Sequence, residues 1–150
     1  GMSLLRHLEE QRARLEALLE LFSDEQTQLI AGQPDGEALQ RIAKAKTQLL
    51  GAIDASEASR RRVQHRLGYS PDARGARQAA REAGCETEWQ TLLSLTAEVA
   101  RTNERHGRLI EQRMRHNRQM LDYIQGIAEK NVYSASGRPQ ASSGRLNTSA

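Results

Sequence analysis

A stretch of about forty residues without proline, from Trp89 to Ala128, constrains this chain more than any other part of it. Apolar and small residues recur along it at alternating intervals of three and four, which places their side chains on one face of a long helix. At 1.5 Å per residue such a helix measures on the order of 60 Å, too long for a compact globule. We therefore expect the rest of the chain to lie alongside it. The facing positions are Trp89, Leu92, Thr96, Val99, Asn103, His106, Ile110, Arg113, Asn117, Met120, Ile124 and Ile127.

A second row of apolar or small residues runs beside this face at intervals of seven. Its members are Leu93, Ala100, Gly107, Met114, Leu121 and Ala128. Together the rows predict a face wide enough to pack against two other helices.

Two earlier segments predict the helices that would cover this face. Apolar residues again alternate at intervals of three and four over residues 3–31 and over residues 36–67. Ser3 and Asp35 stand where N-caps are expected. A break containing glycine and proline follows each segment, which ends a helix and begins a loop.

Residues 72–83 are rich in alanine and arginine and predict two or three helical turns, which we expect to cap the end of the bundle rather than build its core. From about Asn131 serine, glycine and proline dominate, a composition typical of a disordered tail. The sequence therefore predicts an all-α fold. We expect an antiparallel bundle of three long helices plus a short connecting helix over residues 2–130, followed by a flexible C-terminal tail at residues 131–150.

Several classes of protein are disfavoured by what the sequence lacks. It has no run of eighteen apolar residues, so we expect no membrane insertion. No two histidines have the spacing of a helical metal site, and no glycine-rich phosphate loop or nucleophile motif occurs, so we expect no metal, no cofactor and no enzymatic activity. The single cysteine, Cys85, cannot form an internal disulfide, which fits a reducing cytoplasm.

The arginines raise the question of nucleic acid binding. Formal net charge is +3, and Arg60, Arg61, Arg62 and the arginines of the long helix could contact phosphates. Glutamates interleave the arginines of the long helix, however, and no aromatic residues accompany them to stack on bases. A solvated bundle face is the favoured interpretation, and no nucleic acid partner is expected.

Polar residues interrupt the facing row in the second half of the long helix. Asn103, His106 and Asn117 stand where leucine would give a more stable seam. Such residues can fix the register of a bundle or the choice of partner. Alternatively, this half of the helix is not fully covered and offers a surface to another protein. Both interpretations remain open from the sequence.

The same half of the helix carries an apolar stripe, formed by Ile110, Met114, Met120, Leu121, Ile124 and Ile127. The first two helices are about ten residues shorter than the third, so part of this stripe is expected to lack a covering partner. The short connecting helix or a second copy of the chain could cover it. The other interpretation is a groove for an amphipathic helix of another protein, with methionines adapting to varied side chains.

Two local patterns resemble the FlgN family of flagellar type III export chaperones. Residues 103–110 resemble the N-x-x-N-G-x-L-I core of the family's long C-terminal helix, and residues 133–138 resemble a Y-x-x-x-G segment just after it. The matching motif positions are Asn103, His106, Gly107, Leu109 and Ile110. This chain departs from the pattern at His106, where the family usually has asparagine.

The resemblance implies a cytoplasmic chaperone without catalytic activity. Members of the family bind hook–filament junction proteins, the hook-associated clients FlgK and FlgL, through the clients' C-terminal helical regions. They keep these clients from assembling early and deliver them to the type III export gate, whose cytosolic domain belongs to FlhA. Tyr133 would be the position to test for docking at the gate.

Client binding in the family belongs to the C-terminal part of the chaperone, which coincides with the stripe. The expected partner-binding residues are Ile110, Met114, Asn117, Met120, Leu121, Ile124, Ile127 and Tyr133. The alternative is a structural coiled-coil subunit that buries the stripe in a homo-oligomer.

Overall fold

The computed structural model of the chain describes residues 3–136, apart from the side chains of Arg113, Asn117, Ala128 and residues 131–136. Over this range the chain forms four helices and no strand. They are α1 (Leu4–Ile30), α2 (Gly36–Arg66), α3 (Ala73–Glu82) and α4 (Glu86–Ser136). The prediction of an all-α fold with three long helices and one short connecting helix is confirmed.

The chain divides into two compact units, Gly1–His106 and Gly107–Ala150, which we call the bundle unit and the C-terminal unit. Helices α1, α2 and α3 and the first part of α4 belong to the bundle unit. The remainder of α4 belongs to the C-terminal unit.

Helices α1 and α2 begin at the N-caps that the sequence predicts. The Ser3 hydroxyl accepts a hydrogen bond from the backbone N–H of Arg6 at 3.2 Å. The Asp35 carboxylate accepts from the N–H groups of Glu37 and Ala38 at 3.0 and 3.2 Å. These bonds satisfy first-turn donors that have no partner inside the helix, so each start is fixed locally.

Helices α2 and α3 end at glycines in the left-handed region, Gly68 with φ 87° and Gly84 with φ 74°. After α3 the N–H of Cys85 donates to the carbonyl of Ala80 at 2.8 Å, and that of Gly84 donates to the carbonyl of Arg81 at 3.1 Å. This is the Schellman arrangement, which pairs the last carbonyls of a helix. Only glycine takes such a φ without strain, so both helix ends are encoded locally.

Helices α1 and α2 run antiparallel. The Gln11 side chain near the start of α1 donates to the carbonyl of Ile53, in the second half of α2, at 3.0 Å. Near the end of α1, Glu25 pairs with Lys46 from the first half of α2 at 2.8 Å. Residue numbers therefore rise along α1 while those of the contacting residues on α2 fall, as predicted for an up-and-down bundle.

Within the bundle unit α4 runs in the same direction as α1. Trp89 near the start of α4 and Leu4 at the start of α1 border one groove. His106, further along α4, contacts Glu25 near the end of α1. Side chains from α1, α3 and α4 and the connection before α4 build the core. Its buried members are Leu8, Leu15, Leu18, Phe22, Ala76, Ala80, Cys85, Trp89, Leu92 and Val99.

The expectation that the short helix only caps the bundle end is wrong. Ala76 and Ala80 of α3 are 5% and 0% exposed and belong to the core cluster. The helix therefore contributes buried apolar area to the core despite its short side chains.

The expectation of a wide buried face on α4 is also wrong within the bundle unit. Leu93 and Ala100 of the second row are exposed. Each stands one residue after a buried member of the facing row, which turns it by about 100° around the helix. The facing row also shifts, because Thr102 is buried and Asn103 is exposed.

Helix α4 is longer than its apolar pattern predicts. It begins at Glu86, before Trp89, and continues past Ala128 to Ser136, into the segment predicted as a tail. The rest of that predicted tail, residues 137–150, lies outside the described residues.

Gly75 in α3 is held against the loop that precedes it, so Gly75→Ala is expected to destabilise the fold. A Cβ at Gly75 would stand 1.8 Å from the carbonyl oxygen of Ser70, which accepts a 2.6 Å hydrogen bond from the buried Gln64 side chain. Forcing these groups apart is an overpacking defect costing about 2–3 kcal/mol. Thermal unfolding followed by circular dichroism should show a melting temperature lower by roughly 5–10 °C.

Gly51→Ala in α2 is the matched control for this substitution. Gly51 also lies inside a helix, but an added Cβ would have no heavy atom within 4 Å. Alanine there should stabilise the protein by about 0.4–1 kcal/mol, because it restricts the unfolded chain. A Gly75→Ala variant as stable as the original protein would show that the loop yields freely.

Candidate partner-binding site

The apolar residues predicted to bind a partner lie on α4 within the C-terminal unit. Met114, Met120, Ile124 and Ile127 are between 40% and 50% exposed. Ile110 and Leu121 are half-buried. We call these six residues the C-terminal stripe. Every one of these side chains keeps a surface that water can reach.

The stripe follows one side of α4. With 100° between successive residues, its six members span an arc of about 140° around the helix. An arc of this width is typical of the apolar face of an amphipathic helix. Contiguous exposed apolar surface of this kind marks interaction sites on soluble proteins.

Charged residues occupy other positions of the same helix segment. Glu111, Arg115, Arg118 and Asp122 are all exposed. Interactions between exposed charges contribute little, because water and salt screen them. The apolar area of the stripe, rather than its flanking charges, is therefore the feature that can supply affinity.

Two further predicted partner-binding residues lie on the same helix. The backbones of Asn117 and Tyr133 lie in α4, but their side chains are outside the described part of the structure. Their roles stay predictions.

The motif positions shared with the resembled family lie on either side of the point where the two units meet in the sequence. Asn103 and Gly107 are exposed, and Leu109 and Ile110 are half-buried. His106 is different, because it is only 6% exposed. The position at which the chain departs from the family pattern is thus its one buried polar member.

His106 is held by two residues of α1. Its Nδ1 lies 3.0 Å from Oε1 of Glu25, and because a carboxylate only accepts hydrogen bonds, Nδ1 carries the proton and donates. Its ring meets Phe22 edge to face, with centroids 5.2 Å apart. The histidine ring therefore has both a polar and an aromatic partner inside the bundle unit.

The second oxygen of Glu25 reaches the remaining long helix. Nζ of Lys46 in α2 lies 2.8 Å from Oε2 of Glu25 and 5.1 Å from the centroid of the Phe22 ring. One carboxylate thus joins α1 to α2 and to α4. We call Glu25, Lys46 and His106 the buried polar cluster.

Opposing effects act on the ionisation of Glu25. Burial raises the pKa of a carboxyl, since it removes water from the charged form. Hydrogen bonds from Lys46 and His106, together with the charges of these groups, outweigh burial, so the pKa of Glu25 lies below its ordinary value. The carboxylate is therefore ionised in the folded protein at neutral pH.

This geometry indicates a structural role for His106. Its side chain is buried and engaged by α1, and a core leucine could not make the bond to Glu25. Glu25 and Lys46 interrupt the alternating apolar rows of residues 3–31 and 36–67, as His106 interrupts that of the long helix. The sequence does not show that the three side chains pair, although one acidic and two basic residues at such positions were the available signal.

Two features of the described residues bear on metal and thiol chemistry. Among them, no group of three His, Cys, Asp or Glu side chains comes together in a way that could hold a metal ion. Burial, together with the nearby Glu88 charge, raises the pKa of the Cys85 thiol, which disfavours the reactive thiolate. None of the described helices has a segment long and apolar enough to cross a bilayer.

Comparison with known proteins gives a consistent result. A family model described as FlgN protein matches residues 2–141. The chain is 30% identical over 135 residues to the flagella synthesis protein FlgN of Salmonella typhimurium, covering 90% of this chain and 89% of the relative. It is 27% identical to the proteins of the same name from Escherichia coli, covering 87% and 86%, and Proteus mirabilis, covering 90% and 88%. No solved structure matches the chain.

Proposed function

The chain belongs to the FlgN family, and from this premise we propose that it is a flagellar export chaperone for hook-associated proteins. Its relatives are named as flagella synthesis proteins, which supports a role in building the flagellum. The observation that carries the proposal is the exposed C-terminal stripe on α4. A chaperone of this kind needs an apolar surface that is free before its client arrives.

The proposed mechanism is masking of a client helix. The C-terminal helical region of a hook-associated protein would bury its apolar face against the stripe, where it can no longer pair with other client molecules. Each apolar side chain buried fully contributes about 1.5–3 kcal/mol. Part of this is offset by the entropy of ordering the two segments, which keeps the complex reversible.

The family pattern suggests the identity of the partners. We assign FlgK- and FlgL-like proteins as clients and an FlhA-like export-gate component as the acceptor, in the cytoplasm. Tyr133 is the residue we assign to gate docking, since it occupies the tyrosine position of the Y-x-x-x-G segment. Its substitution should therefore weaken gate binding and leave client binding unchanged.

Light scattering combined with titration calorimetry tests this proposal. We expect the full chain to be a monomer and to bind the C-terminal helical region of a hook-associated protein in a one-to-one complex. A truncated chain ending at Lys130 keeps the whole stripe, so it should retain client binding while losing the segment assigned to the gate. Light scattering gives the mass of each species. Titration calorimetry gives the dissociation constant of the client for the full chain and for the truncated chain.

The same experiment identifies the alternative function. If the stripe serves a structural coiled-coil subunit, the chain will form a stable homo-oligomer that hides it, and no client complex will appear. In that case Leu121 and Ile124 variants would change the oligomeric mass, whereas the chaperone proposal requires a mass that stays monomeric.

A further inference from the structure

An open apolar groove lies at the end of the bundle unit where α1 and α4 begin. It measures about 610 Å³, within the range of roughly 300–1,000 Å³ found for ligand-binding pockets. Residues from all four helices and from the loop after α2 line it. The apolar lining includes Leu4, Val63, Leu67, Ala76, Ala79 and Trp89.

Large apolar side chains at this groove remain accessible to water. Val63 in the last turn of α2 is 45% exposed, and Leu67 at its C-cap is 66% exposed. The groove therefore offers apolar area that a partner can bury.

One wall of the groove carries unbalanced positive charge. Arg60 is neutralised, since its guanidinium pairs with Glu57 at 2.6 Å and stacks over Trp89 at 4.7 Å. Arg66 lines the groove, and Arg62 stands one turn before it on the same side of α2. Neither makes a hydrogen bond or ion pair with any side chain that the structure describes.

The one acidic residue in the lining, Glu82 of α3, accepts a hydrogen bond from the Tyr69 hydroxyl. The α2 side of the groove thus combines apolar side chains with the free guanidinium of Arg66. Arg62, which is not part of the lining, stands one turn before it. The chemistry of the groove is complementary to a surface that is apolar in the middle and acidic along one edge.

We propose that this groove is a second docking site, and that its occupant is an acidic amphipathic helix of a partner protein. Apolar side chains at i, i+3, i+4 and i+7 would fill the floor between α2 and α3. Carboxylates on one edge of that helix would pair with Arg62 and Arg66, preferably as bidentate contacts. The site lies wholly in the bundle unit, so it is separate in sequence from the C-terminal stripe.

Other occupants fit the groove less well. Two copies of the chain meeting groove to groove would bring two surfaces of the same positive charge together, and like charges repel. A small apolar acid would pair with one arginine but leave much of the apolar lining between Leu4 and Leu67 uncovered. A helix several turns long covers the whole floor.

Fluorescence of Trp89 provides a direct measurement, because it is the chain's single tryptophan and it lines the groove. The probe is a tryptophan-free amphipathic peptide with leucines on one face and glutamates along one edge. The comparison peptide carries lysines in place of the glutamates. We expect the acidic peptide to change the Trp89 emission with saturation, and to bind at least tenfold more tightly than the basic one.

Substitutions at exposed positions of the groove test the contacts without disturbing the core. Leu67→Glu should abolish the signal, and Arg66→Glu should reverse the preference towards the basic peptide. The matched controls on α2 are Leu50→Glu, at a position 41% exposed outside the groove lining, and Lys44→Glu, also exposed. Both controls should bind the acidic peptide as the original protein does.

Several outcomes with the peptides and variants would overturn this assignment. They are no binding of the acidic peptide, equal binding of both peptides, binding that survives Leu67→Glu, and a homodimer that Leu67→Glu dissolves. Displacement of the peptide by decanoate at equal concentration would also overturn it, in favour of a small apolar acid. A Leu121→Asp/Ile124→Asp variant should bind the peptide unchanged, so this proposal and the chaperone proposal can fail separately.

Discussion

Client binding should be lost when Leu121 and Ile124 are both replaced by aspartate. Both side chains belong to the C-terminal stripe, Ile124 is 49% exposed, and the two stand three residues apart on one side of α4. Both side chains are already about half buried in the free protein, so losing each contact forfeits about 1 kcal/mol. Setting a carboxylate against an apolar client face costs at least about 1 kcal/mol more per residue, so the total is at least about 3 kcal/mol. Since 1.4 kcal/mol is a factor of ten, the client's dissociation constant should rise at least 100-fold. Titration calorimetry with a client C-terminal region measures it.

A control with the same added charge separates lost contacts from repulsion. Gln112 and Gln119 are exposed on the part of α4 turned away from the stripe. The Gln112→Asp/Gln119→Asp variant gains two carboxylates on the same helix but keeps every stripe residue. Its client affinity should stay within about threefold of the original, and circular dichroism should show the same helicity for both double variants.

Client affinity that is unchanged in the stripe variant would remove the C-terminal stripe from the site. Equal weakening by both variants would instead point to the charge of the client rather than to apolar burial. Only selective loss in the Leu121→Asp/Ile124→Asp variant agrees with masking of an apolar client face.

The boundaries of the first three helices could be predicted from the sequence because their signals are local. Ser3 and Asp35 cap α1 and α2 through bonds to the residues that follow them. Gly68 and Gly84 end α2 and α3 through their own backbone conformation. None of these contacts depends on the rest of the fold.

The C-terminal end of α4 could not be predicted from apolar periodicity. The last apolar residues of the pattern are Ile127 and Ala128, yet the helix continues to Ser136. No glycine or proline occurs between Ala128 and Gly137, so nothing in the backbone chemistry stops it earlier. Periodicity reports which residues can be buried, whereas helix ends depend on caps and breakers.

The contacts between side chains of different helices could not be predicted from the sequence. Asn103 and His106 were both read as polar residues in the seam, but Asn103 is exposed and His106 is buried. The difference depends on how α4 is rotated against α1, and on the height at which Glu25 stands beside it. The heptad spacing determines neither the rotation of α4 nor the position of Glu25 along it. Neighbouring positions on a wide helix face fit the same spacing almost equally well.

The apolar groove at the end of the bundle unit could not be predicted from the sequence for the same reason. Val63 and Leu67 belong to the apolar pattern over residues 36–67, which predicts a helix but not what covers each side chain. At the groove α3 presents the short side chains of Ala76 and Ala79, and Val63 and Leu67 remain exposed. The apolar pattern of one helix does not show how long the side chains of the opposite helix are. It therefore cannot show which apolar residues remain uncovered.

The buried polar cluster should contribute more to stability than any exposed ion pair of this fold. Glu25→Gln keeps the size of the side chain but removes the charge that serves Lys46 and His106. Breaking one partner of a fully buried pair costs about 3–5 kcal/mol. Lys46 retains some access to water, because its side chain is 17% exposed. We therefore expect Glu25→Gln to lower the free energy of unfolding, measured in urea at pH 7, by about 2 kcal/mol.

Glu16→Gln is the matched control, because Glu16 lies on the same helix and also forms a 2.8 Å ion pair, with Arg12. Both side chains of that pair are more than half exposed, and such pairs contribute about 0–1 kcal/mol. The two variants remove the same charge from α1 at the same distance from its partner. A difference between the two losses of unfolding free energy therefore measures the effect of burying the ion pair. Equal effects would show that the cluster is no more than a surface pair.

The contribution of Glu25 should also depend on pH with a defined sign. The pKa of Glu25 is lowered in the folded protein, whereas the unfolded chain has the ordinary value of about 4.3. The stabilisation is therefore fully present above that ordinary value and is lost as pH falls through the lowered one. The stability difference between the original protein and Glu25→Gln should shrink as pH falls below about 4.3. A difference that grows as pH falls through the range in which a carboxyl titrates would mean that burial, rather than the bonds from Lys46 and His106, sets the ionisation of Glu25.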